Sequence, residues 1–446
     1  MNALSRKDTL FISLMLFSLF FGAGNLIFPP FLGQSAGSEL WPAVTGFILS
    51  AVGLPILGVI AVAKSNGLQS LANRVHPVFA VVFTVMIYLA IGPFLGIPRA
   101  GSLAFEMGVQ PFLPEGVNVK AALFGYTFCY FALAYWLALK PSKLVDRFGK
   151  VLTPVLLVLI SLIFIRALSY PFEPAGQPAG NYVTKAFATG FTDGYATMDT
   201  IAALNFGIVI AMALKQKGMT STKSIMSSSI RAGVIAGTLL AIIYLMLAYL
   251  GSVSHANAAN GAITLTNIVF TLFGPFGAVL LGVVFTLACL TTSVGLLTSC
   301  SQYFEQLVPK VSYKVWVSTI AVFSLLVANL GLTMILKISV PVLTAIYPVA
   351  IMLIVLSLTN SLIKGKQGVY ALSILFVGIV SVTDACLQSG LNLGAWGELV
   401  KTLPLYNTGF GWLVPAIAGA MGGYLLSLYN LKGKVVHSKQ VKSYSK

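Results

Sequence analysis

The segment Ala288-Cys289-Leu290-Thr291-Thr292-Ser293 sets two adjacent threonine hydroxyls and a serine inside a long apolar run. Hydroxyls and a backbone carbonyl are hard oxygen donors, suited to a weakly held alkali cation and needing no thiolate or carboxylate. Carbonyls of an unwound stretch around Ser18 and Phe21 would complete such a shell. Taken alone, the same hydroxyls read first as bonds to the carbonyl one turn back, or as glue between helices.

A second constellation offers backbone rather than side chains. The run Phe20-Phe21-Gly22-Ala23-Gly24-Asn25-Leu26-Ile27-Phe28-Pro29-Pro30 puts two glycines, an asparagine and a proline pair in the middle of an apolar stretch. Glycine weakens a helix and proline removes a donor, so the helix is expected to break there. The freed amides at Gly22, Ala23, Gly24 and Asn25 open the following half-helix, whose N-terminus attracts an anion such as a carboxylate. A similar interruption recurs at Gly190-Phe191-Thr192-Asp193-Gly194-Tyr195. Carbonyls around Phe191, Gly194 and Tyr195 would accept from an ammonium. Together the two breaks form a clamp for a zwitterion, the pattern expected of a secondary transporter with an inverted repeat. The competing reading of each glycine-rich stretch is close helix packing.

Other polar groups at membrane depth need a role. Asp199, one turn past the second break, could bind a cation, bind an amine, or hold the broken helix through hydrogen bonds, the role favoured here. Asp193 is expected at an outer vestibule. Arg99 and Glu106 stand seven apart and share a helix face, which suggests an ion pair that gates or braces, unless both reach for the interface. Pro341 and Pro348, also seven apart, suggest a kinked helix that bends during gating. The three histidines, His76, His255 and His437, fall in loops or tails. No phosphate-binding loop, metal-binding histidine motif or nucleophile elbow is present, so no catalytic residue is assigned and an enzyme is not expected.

The elements that must position these groups follow from composition. Of 446 residues, 57% are hydrophobic and 9% charged. About twelve stretches reach spanning length, so an all-α polytopic membrane protein is expected. The stretches are 9–35, 39–63, 77–105, 120–140, 150–169, 186–214, 225–252, 274–304, 313–330, 334–360, 368–387 and 406–430. The net charge of +16 does not point to nucleic acid, because the basic residues sort by side. With the N-terminus inside, Arg6, Lys7, Lys64, Arg74, Lys140, Lys143, Arg147, Lys150, Lys215, Lys217, Lys223, Arg231, Lys310, Lys314, Lys364, Lys366 and the basic residues from Lys432 to Lys446 fall on the cytoplasmic side. Lys120, Lys185 and Lys401 fall outside, which places both termini in the cytoplasm.

The expected organisation is one transporter domain. Residues 1–175 hold spans one to five, residues 176–365 hold spans six to ten in the opposite sense, and residues 366–431 hold two additional spans. Residues 432–446 form a short basic tail, expected to be irregular and to lie at the lipid surface. Residues 254–266 read as an outer loop. Cys129, Cys289, Cys300 and Cys386 read as reduced core residues. The first apolar run follows Arg6-Lys7 as a signal peptide would, but it is too long and reads as the first span.

Three motifs together resemble the branched-chain amino acid:cation symporters of bacteria: Phe20 to Pro30, Gly92-Pro93 with Ile97-Pro98-Arg99, and Gly194-Tyr195-Ala196-Thr197-Met198-Asp199. The resemblance runs over essentially the whole chain. It implies the LeuT-like architecture of five plus five inverted spans, with discontinuous spans one and six and two extra C-terminal helices. It also implies sodium-coupled uptake of leucine, isoleucine and valine at the cell inner membrane. Gly24-Asn25 with Phe28-Pro29, and Ala288 to Ser293, are similar to segments of the bacterial leucine transporter. By that likeness Ala288, Thr291 and Thr292 bind sodium. The arginine that precedes the first-helix aromatic-proline pair in that relative is absent, and Ile27 is the nearest position. The aliphatic side chain is expected in an apolar pocket including Tyr88 and Phe285. Sodium is the coupling ion, no cofactor is implied, and no obligatory protein partner is inferred. Coupling to protons through Asp199 or Asp193, or another small apolar amino acid as solute, is the alternative.

Overall fold

The computed structural model describes residues 4–254, 258 and 260–443. Every regular element among them is a helix. The chain opens with α1 (Arg6–Phe20), α2 (Ala23–Ala36), α3 (Leu40–Ile48), α4 (Leu54–Ser65), the short α5 (Leu68–Ala72), α6 (Pro77–Leu89), α7 (Gly96–Gly108), α8 (Val119–Ala138) and α9 (Thr153–Leu168). It continues with α10 (Tyr182–Asp193), α11 (Asp199–Gln216), α12 (Thr222–Ser252), α13 (Gly261–Phe273), α14 (Pro275–Leu307) and α15 (Tyr313–Ala328). The last four are α16 (Leu332–Leu358), α17 (Gln367–Gln388), α18 (Gly394–Lys401) and α19 (Leu413–Ser443). Among the described residues, nine helical segments are long and apolar enough to cross a membrane, and Gly261–Phe273, Tyr313–Ala328 and Leu413–Tyr429 are shorter apolar helices.

The described residues divide into two compact units, one within Met1–Gly67 and Met86–Val340, the other within Leu68–Val85 and Pro341–Lys446. The first contains both expected breaks. Its longest helix, α14, buries Gly277, Gly282, Ala288, Ser293, Gly295 and Ser299, small residues that let neighbouring helices approach closely where lipid supplies no hydrophobic driving force. In the second unit α17 packs along α19. There Arg74 donates to the Tyr370 hydroxyl at 3.1 Å, and that hydroxyl donates to the Leu356 carbonyl at 2.8 Å.

Several expectations change. The 254–266 loop gives way to helix at Gly261, because the Asn260 side chain accepts from the Ala262 and Ile263 amides and starts α13. His255 lies outside the described residues, as does Lys446. The basic segment after Leu431 continues α19 as helix to Ser443 rather than becoming irregular. Cys289 and Cys300 are buried free thiols, whereas Cys129 is exposed on α8 and Cys386 half-buried. The expected break in the first span falls at Phe21 and Gly22, and α2 then runs through Pro29 and Pro30 to Ala36.

Three irregularities in the first unit position the site. At the first, α1 stops at Phe21 (φ −73°, ψ 88°) and the chain extends through Gly22 (φ −125°, ψ −152°) before α2 begins. The Asn25 side chain turns back to accept from the Gly22 amide at 3.0 Å, capping its own half-helix. At the second, α10 gives way to a tight turn over Gly194–Thr197, and Met198 takes a left-handed conformation (φ 68°, ψ 8°) before α11 starts. The Thr197 hydroxyl ties this corner together, donating to the Gly194 carbonyl at 2.9 Å and accepting from the Asp199 amide at 3.3 Å. At the third, a widened turn over Ala90–Phe94 carries a non-helical Gly92 (φ −82°, ψ −113°) and leads into α7, which holds Arg99.

Candidate functional site

The first two breaks meet. Gly22, Gly24 and Asn25 from one, and Thr197, Met198 and Asp199 from the other, line a cavity of about 20 Å³ together with Arg99 and Thr292. Its apolar wall is Leu19, Ile91, Ala202 and Leu296. That volume admits a water or two. A branched-chain amino acid requires the walls to part.

The approach is close enough to require glycine twice. A Cβ on Gly22 would lie 2.7 Å from the Thr292 hydroxyl, and one on Gly24 would lie 2.9 Å from an Arg99 guanidinium nitrogen and 3.0 Å from the Thr197 Cα. The backbone at the start of α2 thereby borders the cavity with no side chain from Gly22 or Gly24 between.

Below the first break, the Ser18 carbonyl of α1 faces α14. It accepts from the Thr291 hydroxyl at 3.1 Å and the Thr292 hydroxyl at 3.2 Å. Thr291 also reaches the Ala288 carbonyl at 3.0 Å. Four neutral oxygens thus converge, drawn from two helices, and the set fits a monovalent alkali cation. Both expectations for these hydroxyls meet in this arrangement: one bond runs a turn back, two run across helices. The Ser18 hydroxyl turns away to the Met15 carbonyl at 2.8 Å. Phe21 is the residue where α1 leaves the helical ladder, its amide closing the last turn on Phe17 at 2.8 Å. Among the described residues no three histidine, cysteine or acidic side chains gather to hold a metal.

Asp199 is 1% exposed. Its carboxylate accepts from the Asn25 amide at 2.7 Å and the Tyr244 hydroxyl of α12 at 2.6 Å, and Asn25 also donates to that hydroxyl. The carboxylate therefore joins the first break, the second break and α12. Asp193 accepts from the Tyr182 hydroxyl at 2.5 Å, within its own helix.

Arg99 and Glu106 do not pair. Seven residues of helix span about 10 Å, and each side chain meets a nearer backbone partner instead. Arg99, 4% exposed, donates to the Ala196 carbonyl at 2.8 Å and the Thr197 carbonyl at 3.4 Å. Glu106 accepts from the Leu332 amide at 3.3 Å.

Not every expected residue reaches the cavity. Tyr88 is buried but stacks on Tyr303, with ring centroids 4.1 Å apart and planes 2° from parallel. Phe285 is buried in α14 without lining it. Phe191 and Tyr195 contact each other edge to face at 5.8 Å, and Gly194 is buried in the turn beside them. Pro341 lies inside α16, which passes through it and Pro348 as one helix. The residues the sequence reading missed are Thr197, Met198, Tyr244 and the apolar wall. Tyr244 carried a signal: a hydroxyl at mid-span needs a partner as much as a carboxylate does.

Two half-helices meeting at a shared cavity, beside a neutral oxygen cluster, define a transporter of the LeuT-like fold. Solved structures agree on the fold. MhsT in complex with L-phenylalanine covers 96% of this chain and 99% of its own at a TM-score of 0.53 and 16% identity. Mhp1, a nucleobase-cation-symport-1 family transporter in a closed conformation, covers 95% and 93% at a TM-score of 0.61 and 12% identity. The chain belongs to the family described as branched-chain amino acid transport protein, which it matches over residues 5–429. It is a multi-pass membrane protein. It is 47% identical to the branched-chain amino acid permease BrnQ of Bacillus subtilis over 434 residues, 96% of this chain and 98% of that one. It is 43% identical to the branched-chain amino acid transport system 2 carrier protein of Pseudomonas aeruginosa, over 93% and 95% of the two chains.

Proposed function

We propose that this protein is a sodium-coupled symporter. It carries leucine, isoleucine and valine into the cell across the inner membrane by alternating access, with both termini in the cytoplasm. The observation that carries the coupling is the Ser18 carbonyl of α1 facing the Thr291 and Thr292 hydroxyls of α14. A cation drawing on these oxygens and on Ala288 binds best when the two helices meet, so it favours that conformation over one in which they separate. The names of relatives in Bacillus subtilis and Pseudomonas aeruginosa support the substrate class.

The amino acid's carboxylate docks on the opening amides of α2 at Ala23, Gly24 and Asn25. Its ammonium takes carbonyls of the second break. The aliphatic branch lies against Leu19, Ile91, Ala202 and Leu296, in place of the expected Tyr88 and Phe285. Spans one to five and six to ten act as the inverted halves of one transporter domain.

A second reading couples transport to protons, favoured by one observation: Asp199 is a buried titratable group that lines the same cavity. Leucine uptake into proteoliposomes containing only this protein separates the two. Accumulation under an inward sodium gradient, absent with potassium, supports sodium coupling. Accumulation under a proton gradient at matched voltage without sodium overturns it and selects Asp199.

A further inference from the structure

We propose that Arg99 is a tethered cation that occupies the ammonium subsite and yields it only to a zwitterion, making it the residue that sets substrate specificity. The inference rests on the amino acid transport reading and deepens it.

The carbonyls of the second break are the acceptors that a substrate ammonium would use. Ala196 and Thr197 already accept from the Arg99 guanidinium, at 2.8 and 3.4 Å. Arg99 and an incoming ammonium are therefore competitors. Arg99 is also nearly out of reach of solvent, and it lines the cavity whose volume falls short of the substrate. Enlarging the cavity for an amino acid means moving this side chain.

The geometry gives the displaced guanidinium a destination. One of its nitrogens already abuts Gly24, the residue whose amide opens α2 and whose missing side chain leaves the approach clear. A carboxylate docked on those amides therefore comes within reach of a planar fork that matches it in two parallel hydrogen bonds. Phe28 of α2 stands beside the path, its ring centroid 6.0 Å from the guanidinium carbon, where an aromatic face can hold a cation. The exchange is balanced. The ammonium replaces Arg99 on the carbonyls, and the carboxylate takes up the freed Arg99.

Discrimination follows. An amine without a carboxylate displaces Arg99 and brings no carboxylate of its own to receive it. An acid without an ammonium attracts Arg99 and leaves the carbonyls of Ala196 and Thr197 unmatched. Each single-ended analogue gives up one of the two matched interactions, and that mismatch rejects more strongly than the loss of a methylene does.

The test is equilibrium binding to the full chain in nanodiscs with sodium present. Leucine is compared with 3-methylbutylamine and 4-methylpentanoate, which keep one charged end each. Binding is read by ligand-induced thermal shift, so weak ligands remain measurable. Leucine binding to the unmodified protein tests the transport reading itself, and its absence overturns both proposals together. In Arg99→Gln, leucine affinity is expected to fall about 100-fold, as for loss of a buried charge-assisted pair. In the same variant 3-methylbutylamine is expected to bind about tenfold tighter than to the unmodified protein, because the competing cation is gone. An arginine that only braces the break predicts the opposite: amine and leucine weaken together, and that outcome overturns the proposal while the transport reading stands. Arg99→Lys keeps the competing charge and loses the fork, and it serves as the deciding variant if the glutamine form does not fold. It should still exclude the amine and bind leucine about tenfold more weakly. Unchanged leucine affinity in Arg99→Lys overturns the bidentate role.

Discussion

The side-chain amide of Asn25 donates to the Asp199 carboxylate at 2.7 Å, joining residues 174 positions apart in the sequence. Each belongs to a different broken span, and Tyr244 of α12 holds the same carboxylate oxygen at 2.6 Å. Asn25 does two jobs at once, since its carbonyl oxygen caps the Gly22 amide while its amino group reaches Asp199. Removing one donor from a buried carboxylate costs about 1.5–3 kcal/mol, the range for hydrogen bonds to charged groups. Tyr244→Phe should therefore lower the thermal unfolding temperature of the purified protein and reduce uptake while leaving sodium dependence intact. Asn25→Ala should be worse on both counts, because it also uncaps α2. An unfolding temperature unchanged in both variants would mean that the network does not hold the breaks together.

The two threonines of α14 are separable. Thr291 donates to carbonyls on both helices, while Thr292 donates to the Ser18 carbonyl, stands against Gly22 and lines the cavity. If they hold sodium, each alanine substitution should raise the sodium concentration for half-maximal leucine uptake by about tenfold or more, the worth of one charge-assisted contact. Thr291→Ser and Thr292→Ser retain the hydroxyl and should stay within about threefold of the unmodified protein. Sodium titrations of uptake at saturating leucine read this directly. A serine variant as impaired as the alanine would assign the defect to packing of the lost methyl.

Both breaks were legible in the sequence because lipid tolerates freed backbone only where protein or solute receives it, so glycine and asparagine at mid-span carry a clear meaning. The oxygen cluster was legible for the same reason. What the sequence left open was partnership. Seven-residue spacing put Arg99 and Glu106 on one face of α7, yet Arg99 bonds carbonyls of the second break and Glu106 the Leu332 amide. Spacing reports direction around a helix axis, and it says nothing of what a neighbouring element places nearer. Tyr88 failed similarly: an aromatic next to a break reads as a pocket wall, but Tyr303 offers it a parallel face at 4.1 Å. Residues 261–266 read as loop because α13, to which they belong, is short and its cap, Asn260, gives only local information.

Met198 marks the corner of the second break with a left-handed backbone, which costs a non-glycine residue about 1–3 kcal/mol. The strain persists because Thr197 pins both sides of the turn and Arg99 holds its carbonyls. Met198→Gly relieves the strain and should leave thermal stability equal or raise it by up to about 1 kcal/mol. Met198→Val adds a branched Cβ at positive φ and should destabilise the protein by more than the glycine change gains. If the turn must stay rigid to present its carbonyls, Met198→Gly will be the more stable protein and the poorer transporter. Equal transport in both variants would remove the corner from the mechanism.

At its N-terminal end, α1 is tied to the end of α11 by an ion pair. The Asp8 carboxylate lies 2.7 Å from the Lys217 ammonium and accepts from the Ser5 hydroxyl at 2.7 Å. The hydrogen bond from Lys217, with that from Ser5 and the nearby positive charge, holds the Asp8 carboxyl below its usual range. A lowered folded-state value adds stability above the ordinary value of 3.8, and that stability is lost as pH falls through the lower one. Between pH 5 and pH 8 the contribution should therefore be constant, so any pH dependence of transport in that window must arise elsewhere. Both groups are about one-third exposed, which limits the pair to at most about 1 kcal/mol. Lys217→Ala should barely move the unfolding temperature. If the termini are cytoplasmic and this end of α1 parts from α11 during inward release, as the proposed alternating access requires, the effect should appear in the conformational balance. Cysteine labelling of α1 from the cytoplasmic side measures that balance. Faster labelling in Lys217→Ala, reproduced in the unmodified protein by high salt, is the expected result. Identical labelling rates would reduce the pair to an ordinary surface contact.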